Sequence, residues 1–188
     1  MHVNRAPLES AKRPPGSARI RIRRVEPADQ RNFLAAVLAS RALHRPWVFA
    51  PSTPRQFRAY VKRTRSRATL GFLVCERKTR ALVGVINLSE IVLGAFRSAY
   101  LGYYAFAGFE RQGLMREGLR AAVRYAFRTL KLHRLEANIQ PANAASLALA
   151  RSCGFSREGF SPRYLKIGGR WRDHERWAIL SETWRARR

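Results

Sequence analysis

Residues 100–153 read YLGYYAFAGFERQGLMREGLRAAVRYAFRTLKLHRLEANIQPANAASLALARSC, and this stretch decides the fold. The apolar run 99–106 predicts a buried strand, and apolar residues at three- and four-residue steps over 119–130 predict an amphipathic helix. Residues 133–139 predict a second strand. Residues 141–146 open a second helix, which ends at Gly154 because glycine accepts the left-handed conformation there. The order is therefore strand, glycine turn, helix, strand, helix.

The turn around Gly113 precedes a predicted helix start. Unpaired backbone N–H groups and the positive end of the helix dipole favour a phosphate at such a position. Gly113 would let the backbone come close to that ligand, although a single glycine between strand and helix also serves simply as a turn residue. No Walker lysine follows the turn and no G-x-G-x-x-G is present, so nucleoside triphosphate and dinucleotide binding fit poorly.

The flanking sequence predicts an α/β frame of six to seven strands. Strands are predicted at 19–25, 70–75, 81–88, 155–167 and 171–180, the last two joined through Gly168-Gly169. Helices are predicted at 27–43 and at 53–67, where Thr53 and Gln56 fit a capping box and Pro54 takes the first helical position. Residues 19–184 form one domain without an internal repeat. Residues 1–18 are interpreted as a flexible basic arm and 185–188 as a basic tail.

Length and composition support one folded domain, because 46% of the 188 residues are hydrophobic. The chain has no apolar run near the roughly 20 residues of a membrane span and no secretory leader at 1–18, which predicts a cytoplasmic protein without a membrane partner. Cys75 and Cys153 are interpreted as buried free thiols rather than a disulfide or reactive pair. The four histidines show no metal-ligand spacing with them, so no metal is predicted.

The charge is strongly positive. Lys+Arg total 37 against 12 Asp+Glu, a formal net charge of +25, and arginine supplies most of it. A compositional preference for arginine over lysine explains the arginine share but not the shortage of acids. An excess of this size attracts RNA, anionic membrane or phosphorylated ligands. We therefore expect non-specific affinity for RNA and a contact with the ribosome or its RNA through the basic surface.

Several short segments occur together in one order along the chain. They are Leu101-Gly102-Tyr103, Gln112-Gly113-Leu114-Met115 with Glu117, Asn143 with Ser146, Cys153-Gly154-Phe155 with Glu158-Gly159, and Gly169-Arg170-Trp171-Arg172-Asp173-His174. Over roughly residues 19–184 this set resembles the GNAT acetyltransferases, and among them the ribosomal-protein-alanine N-acetyltransferases of the RimJ/RimL type, with RimJ most similar. The resemblance implies a GNAT fold, a mixed, mostly antiparallel twisted sheet with a splayed central strand pair. It also implies acetyl-CoA as co-substrate and the α-amino group of a protein, a ribosomal protein, as acceptor.

The resemblance also implies roles for individual residues. Pantetheine would pair with the backbone of Tyr103, Tyr104, Ala105 and Phe106. The diphosphate would lie on the backbone amides of Arg111, Gln112, Gly113, Leu114, Met115 and Arg116. Asn143 would contact the cofactor, and Ser146 would protonate the departing CoA thiolate; from position alone, both fit an ordinary helix start. The sequence departs from the family at Glu110, Arg111 and Met115. An acidic Glu110 near a diphosphate would be mildly repulsive, and Arg111 and Arg116 would offset it.

The group that removes the amine proton is not evident from the resemblance. The glutamate proposed as base in RimL-type enzymes aligns with Leu165 here. Glu90, Tyr164 or a chain of waters could substitute for it, and Glu90 fits equally well as a solvated turn residue. Acceptor recognition is expected from the connection at 43–47 and from the hairpin at Gly168-Gly169, with Trp47 more suited to packing beneath the loop.

The sequence is compatible with three alternative functions. The leading one is acetylation of a protein N-terminus by direct attack in a ternary complex. A second is a GNAT enzyme acting on a small amine, against which the net charge of +25 argues because its field repels a cationic substrate. A third, from a different class, is a largely non-catalytic ribosome- or RNA-binding assembly factor on the same fold, favoured by the charge and by Leu165.

Overall fold

A computed structural model describes residues 17–186; the predicted arm, except for its last two residues, and the last two residues of the predicted tail lie outside them. The strands are β1 Ile20–Arg24, β2 Leu70–Glu76, β3 Leu82–Val92, β4 Ser98–Ala105, β5 Arg134–Ile139, β6 Ser156–Ile167 and β7 Arg170–Leu180. The α-helices are α1 Gln30–Ala39, α2 Arg41–His44, α3 Pro54–Arg63, α4 Leu114–Arg128, α5 Ala144–Ser152 and α6 Ser181–Ala186. A short 3-10 turn, Pro27–Asp29, precedes α1.

The seven strands form one mixed sheet in the order β1-β2-β3-β4-β5-β7-β6. Within it β4 and β5 run parallel, and the other neighbours in that order are antiparallel. The connection from β4 to β5 runs through α4, as a parallel pair requires. The predicted fold class, an α/β GNAT sheet of six to seven strands with flanking helices, is confirmed.

The helix predicted at 27–43 is interrupted. Its first turn is the 3-10 turn, and α1 ends at Ala39, one residue before Ser40. The Ser40 hydroxyl donates to the Ala36 carbonyl (2.6 Å) and accepts a hydrogen bond from the Ala107 N–H (2.9 Å). Serine side chains compete in this way for the backbone groups that continue a helix. The break therefore ties the end of α1 to the residues after β4.

Other boundaries shift by a few residues. Helix α3 ends at Arg63 rather than 67, and β3 runs on to Val92, so Glu90 lies inside that strand rather than after it. The chain also continues as helix α6, which includes Arg185, a residue that the sequence assigned to the basic tail. Trp184 explains this helix: its ring packs 5.6 Å from that of Phe127, on α4.

Two hydrophobic clusters cover the two faces of the sheet. Helix α4 packs on one face, where Gly118 lets it approach β2; a Cβ at Gly118 would lie 2.7 Å from Cγ2 of Val74. Helices α1 and α3 pack on the other face through Phe33, Phe57 and neighbouring residues. Cys75 and Cys153 are buried free thiols, as predicted. Over residues 17–186 no helix has the length and apolarity that crossing a membrane requires.

Phe72 offers a direct test of the core beneath α4. It lies on β2 with no exposed side-chain surface, and its ring meets that of Tyr125 at 5.3 Å. We expect Phe72→Ala to lower the free energy of unfolding by about 3–5 kcal/mol in urea titrations, because it removes buried apolar area and leaves a cavity. The matched change Phe160→Ala, at a site 47% exposed, should cost less than about 0.5 kcal/mol. Equal losses would place Phe72 outside the core.

Candidate active site

The central feature of the site is a divergence of β4 from β5. The two strands pair only from Ser98 to Tyr100 on β4, opposite Arg134 to Glu136 on β5. Beyond Tyr100, β4 keeps its pairing with β3 but has lost its neighbour on the other side. The predicted splayed strand pair is therefore present. Backbone groups along this edge can pair with an extended ligand, as the exposed edge of a sheet pairs with a peptide.

The four residues predicted to bind pantetheine lie along or just beyond this edge. Tyr103, Tyr104 and Ala105 belong to the diverging part of β4, and Phe106 follows the last residue of the strand. The N–H of Phe106 already donates to the Val83 carbonyl, and the Ala105 carbonyl meets His44 Nε2 at 2.8 Å. Backbone groups alternate in direction along an antiparallel strand, and Phe106 faces β3. The groups of Tyr104 therefore also face β3, opposite Val85, while those of Tyr103 point toward the open edge.

The predicted anion-binding turn lies at the start of α4. Gly113 is the N-cap at φ +76°, and Leu114 begins the helix. The first N–H groups of a helix have no intrahelical partner, so the amides of Leu114, Met115 and Arg116 are available to an anion. Leu114 and Met115 bury their side chains in the core, which leaves only their backbone at the turn. Arg111 takes a left-handed conformation at φ +57°, where the family commonly has glycine.

Two guanidinium groups flank this turn. A Cβ built on Gly113 would lie 3.4 Å from Nη2 of Arg19 and 3.7 Å from Nη2 of Arg116. Arg19 also donates to the Gln112 carbonyl (3.2 Å) and, through Nε, to Glu117 (2.7 Å). Sequence reasoning assigned no role to Arg19, because it lies nearly a hundred residues away from the turn that it supports.

Glu110 does not aim its charge at the turn. Its carboxylate accepts a hydrogen bond from the N–H of Gly108 (2.7 Å), and the side-chain amide of Gln112 donates to the Gly108 carbonyl (2.8 Å). These two bonds shape the loop that precedes α4. The acid that looked repulsive in the sequence therefore serves to fold the loop.

The start of α5 faces β4 across the divergence. Asn143 is the N-cap of α5, and its side-chain oxygen accepts a hydrogen bond from the N–H of Ser146 (3.2 Å). This oxygen therefore has the helix-capping role that the sequence also allowed. The amide nitrogen of Asn143 forms no hydrogen bond with residues 17–186. The Tyr103 hydroxyl donates to the Ser146 carbonyl (2.8 Å) and ties α5 to the free edge of β4. The half-buried Ser146 hydroxyl interacts with the Tyr103 hydroxyl: burial raises the pKa of Tyr103, and the hydrogen bond with the Ser146 side chain opposes that rise.

Tyr164 and Glu90, the two predicted proton acceptors, both interact with Tyr100. The hydroxyls of Tyr100 and Tyr164 are 3.2 Å apart, at the point where β4 and β5 separate. The hydrogen bond with Tyr164, burial and the nearby negative charges of Glu136 and Glu90 raise the pKa of Tyr100 to about 12. A phenol of that pKa stays protonated at neutral pH. It can donate or relay a proton through water, but it cannot itself act as the base.

Asn138 is a polar residue of the cleft that sequence reasoning missed. It lies on β5 beyond the paired segment, two residues after Glu136 and so on the same face. Its side-chain oxygen is buried and has no hydrogen-bond partner within residues 17–186. A buried acceptor left in this state costs free energy unless a ligand or water donates to it. The alternation along 134–139 puts Asn138 on the same face as Arg134 and Glu136, opposite the buried apolar residues, but it does not show that this face borders the cleft.

Two loops close the other side of the cleft, as the sequence predicted for acceptor recognition. The Trp47 carbonyl accepts from Gln140 at the end of β5 (3.3 Å). The ring of Phe49 packs on the β6–β7 hairpin, where a Cβ on Gly168 would lie 2.4 Å from it. The connection after α2 and the hairpin therefore touch each other beside β4 and β5.

Comparison with known proteins agrees with this geometry. Residues 19–156 match the acetyltransferase (GNAT) domain. The [ribosomal protein uS5]-alanine N-acetyltransferase of Escherichia coli is 42% identical over 105 residues, which is 56% of this chain and 54% of that protein. The probable N-acetyltransferase YjcK of Bacillus subtilis is 40% identical over 100 residues, 53% of this chain and 55% of that protein. The aligned part thus spans about half the length of these relatives.

Among solved structures, Mycobacterium smegmatis RimJ in complex with CoA-disulfide superposes with a TM-score of 0.80 at 26% identity. The superposition covers 87% of this chain and 82% of that one.

The contact between Arg19 and Glu117 predicts a pH-dependent contribution to stability. Burial alone would raise the pKa of Glu117, but hydrogen bonds from Ser17 and Arg19 and the charges of Arg19 and Arg116 hold it below its ordinary value. A carboxyl group whose pKa is lowered by folding stabilises above its unfolded pKa and loses that contribution as pH falls through the folded value. We expect Glu117→Gln to cost about 0.5–1 kcal/mol at pH 7 and less as the pH drops below about 4, measured by urea unfolding.

The Arg19→Gln variant and the double variant complete a mutant cycle for this pair. Additive losses at pH 7 would contradict coupling between Arg19 and Glu117.

Proposed function

The chain belongs to the GNAT acetyltransferase family, and we propose that it transfers the acetyl group of acetyl-CoA to the N-terminal α-amino group of a protein, with a ribosomal protein as acceptor. The divergence of β4 from β5 carries this proposal, because it leaves an open strand edge between the start of α4 and the start of α5. The relatives named for ribosomal-protein acetylation support the acceptor class. Since its acceptor is a ribosomal protein, we propose that the enzyme acts in the cytoplasm.

Each end of acetyl-CoA has matching groups in this chain. The diphosphate fits the free amides of Leu114, Met115 and Arg116 and the flanking guanidinium of Arg19. The pantetheine fits the unpaired edge at Tyr103, with Tyr104, Ala105 and Phe106 lining its path toward the turn at Arg111 and Gln112. The free amide nitrogen of Asn143 can donate to it from the start of α5. Bound there, acetyl-CoA supplies an activated thioester carbonyl.

The chain's own side chains then manage the acceptor amine and its protons. The orphan oxygen of Asn138 accepts an N–H from the amine and orients it toward the cleft. Tyr100 and Tyr164 hold a water that carries the amine proton away, toward solvent or the carboxylate of Glu90. The Ser146 hydroxyl donates a proton to the sulfur that leaves. Attack by the neutral amine is direct, so no side chain has to form a covalent bond.

A small amine is the second candidate acceptor. The field of the net +25 charge opposes a polyamine or another cationic substrate, and residues 30–75, which border the cleft, contain no acid to bind one. Contact with the ribosome or its RNA through the basic surface is compatible with acetylation and does not replace it, because the site above retains its donors. A non-catalytic assembly factor is the alternative that experiment must distinguish from an acetyltransferase.

The deciding experiment incubates the protein with labelled acetyl-CoA and ribosomal proteins from unacetylated ribosomes, and reads modified N-termini by mass spectrometry. We expect one predominant acetylated α-amine. The assembly-factor hypothesis would stand instead if the protein bound ribosomes tightly but acetylated no protein or peptide across a range of salt concentrations.

Gly113 tests the diphosphate site. We expect Gly113→Val to weaken binding of acetyl-CoA at least tenfold, because a β-branched side chain strains the left-handed backbone and projects toward Arg19 and Arg116. Calorimetric titration and the ligand-induced rise in Tm measure the effect. Gly94→Val is the matched control, since Gly94 has φ +75° with open space around it. Equal affinities in the two variants would remove the turn from the site.

Ser146 tests the proton donor. We expect Ser146→Ala to lower kcat by about 10²-fold with little change in acetyl-CoA affinity, the usual range for one acid–base group. The helix start should survive, because Asn143 caps it through the backbone N–H of Ser146 and not through the hydroxyl. Ser152→Ala, at the other end of α5, should leave kcat unchanged. Unaltered turnover in Ser146→Ala would assign the leaving-group proton to water.

A further inference from the structure

A cavity of about 450 Å³ lies beside the cleft, between the segment 37–52 and helix α3. Its polar walls come from two helices and the loop that joins them: Arg41, His44, Arg45, Ser52, Gln56 and Arg63. Apolar side chains such as Val37 and Val48 complete the lining. The cavity takes no part in the binding of acetyl-CoA described above.

The three arginines of the wall have no negative partner. Arg41, Arg45 and Arg63 form no ion pair or hydrogen bond with residues 17–186. The guanidinium of Arg45 lies over the ring of Phe49 (5.7 Å) and that of Arg63 over the ring of Tyr60 (5.8 Å), contacts that orient the cations without neutralising them. Residues 30–75 contain no Asp or Glu at all. The cavity is therefore built to receive an anion.

The cavity is joined to the diverging part of β4. His44, in its wall, meets the Ala105 carbonyl and sets its ring against that of Tyr104, with centroids 5.0 Å apart. The buried hydroxyl of Tyr104 has no hydrogen-bond partner within residues 17–186, and it lies within the electrostatic reach of Tyr60 and Arg63, two cavity residues. A carboxylate bound nearby would give this hydroxyl an acceptor.

We propose that this cavity binds an acidic side chain of the acceptor protein, carried a few residues after the amine that is acetylated. The proposal rests on the proposed function, since it assumes a peptide acceptor in the cleft. Arginine pairs with a carboxylate through two parallel hydrogen bonds, and a concave site with apolar side chains in its lining shields such a pair partly from solvent. A phosphate of RNA carries the same charge, but the cavity wall contacts the diverging part of β4 through His44, on the side where we expect the acceptor segment to bind.

The test compares acceptor peptides that share one N-terminal residue. A single Glu is moved from position two to position six, and each Glu peptide has a Gln counterpart. We expect one position at which Glu raises kcat/KM about tenfold over Gln through a lower KM. The advantage should shrink with added salt, because solvent-accessible charges are screened.

Three variants locate the effect. Arg63→Gln and Arg41→Gln should reduce the preference for Glu to less than threefold while keeping turnover of the Gln peptide. Arg63→Glu should favour Lys over Glu at the same position. The matched control is Arg58→Gln, an exposed position on α3 outside the cavity, which should keep the full preference.

The outcomes separate this proposal from the proposed function. Acetylation of Gln and Glu peptides with equal kcat/KM at every position overturns the acidic-side-chain site and leaves the acetyltransferase standing. Absence of turnover on every peptide and on ribosomal proteins removes both. If the Arg41 and Arg63 variants weaken binding of a ribosomal RNA fragment and leave peptide preference unchanged, the cavity is an RNA contact and the proposal fails.

Discussion

The short parallel pairing of β4 with β5 is the constraint on which the rest of the structure depends. Three residue pairs join β4 and β5. Beyond Tyr100, β4 remains paired with β3 and β5 with β7, but β4 and β5 no longer pair with each other. An unpaired strand edge inside a protein is costly, because each free N–H and C=O lacks a partner. The chain satisfies only part of this edge itself, through the contact of His44 with the Ala105 carbonyl. The remaining groups form a site for an extended ligand.

Features that depend on local sequence were predictable. The apolar period over 119–130 predicted α4, Gly113 predicted the turn, and Asn143 fitted a helix cap, since each follows from rules that act within a few residues. The break at Ser40 was not, because it depends on a hydrogen bond with Ala107, far along the chain. Helix α6 was missed for the same reason: Trp184 finds its partner Phe127 only in the folded sheet.

The polar side of the candidate site shows the same division. Tyr164 was selected only for its place beside Leu165. Its contact with Tyr100 joins β6 to β4, two strands that β7 and β5 separate in the order of the sheet. Nothing in the sequence marks that strand order. Arg19 could not be connected to Gly113 for a similar reason, and Asn138 gained its meaning only when β5 was seen to leave β4. Roles that link distant strands require the topology first.

The arginines divide into two groups with different consequences. Some are neutralised within the fold: Arg23 pairs with Asp29, and Arg134 with Glu136 and Glu158. These pairs use up acids that are already scarce. The arginines of α2, the following loop and α3 have no such partners among residues 17–186, so this part of the protein keeps a positive potential.

That potential bears directly on the chemistry. An α-amino group has an ordinary pKa of about 7.7–8.0, and only its neutral form attacks a thioester. Nearby positive charges disfavour the protonated form and lower that pKa. An acceptor amine bound to a chain with a net charge of +25 would therefore lose its proton to water more readily, and a strong protein base becomes less necessary. The same positive field that repels a polyamine thus offsets the absence of a carboxylate at Leu165. A basic surface and an apolar residue at position 165 are therefore compatible with the same chemistry.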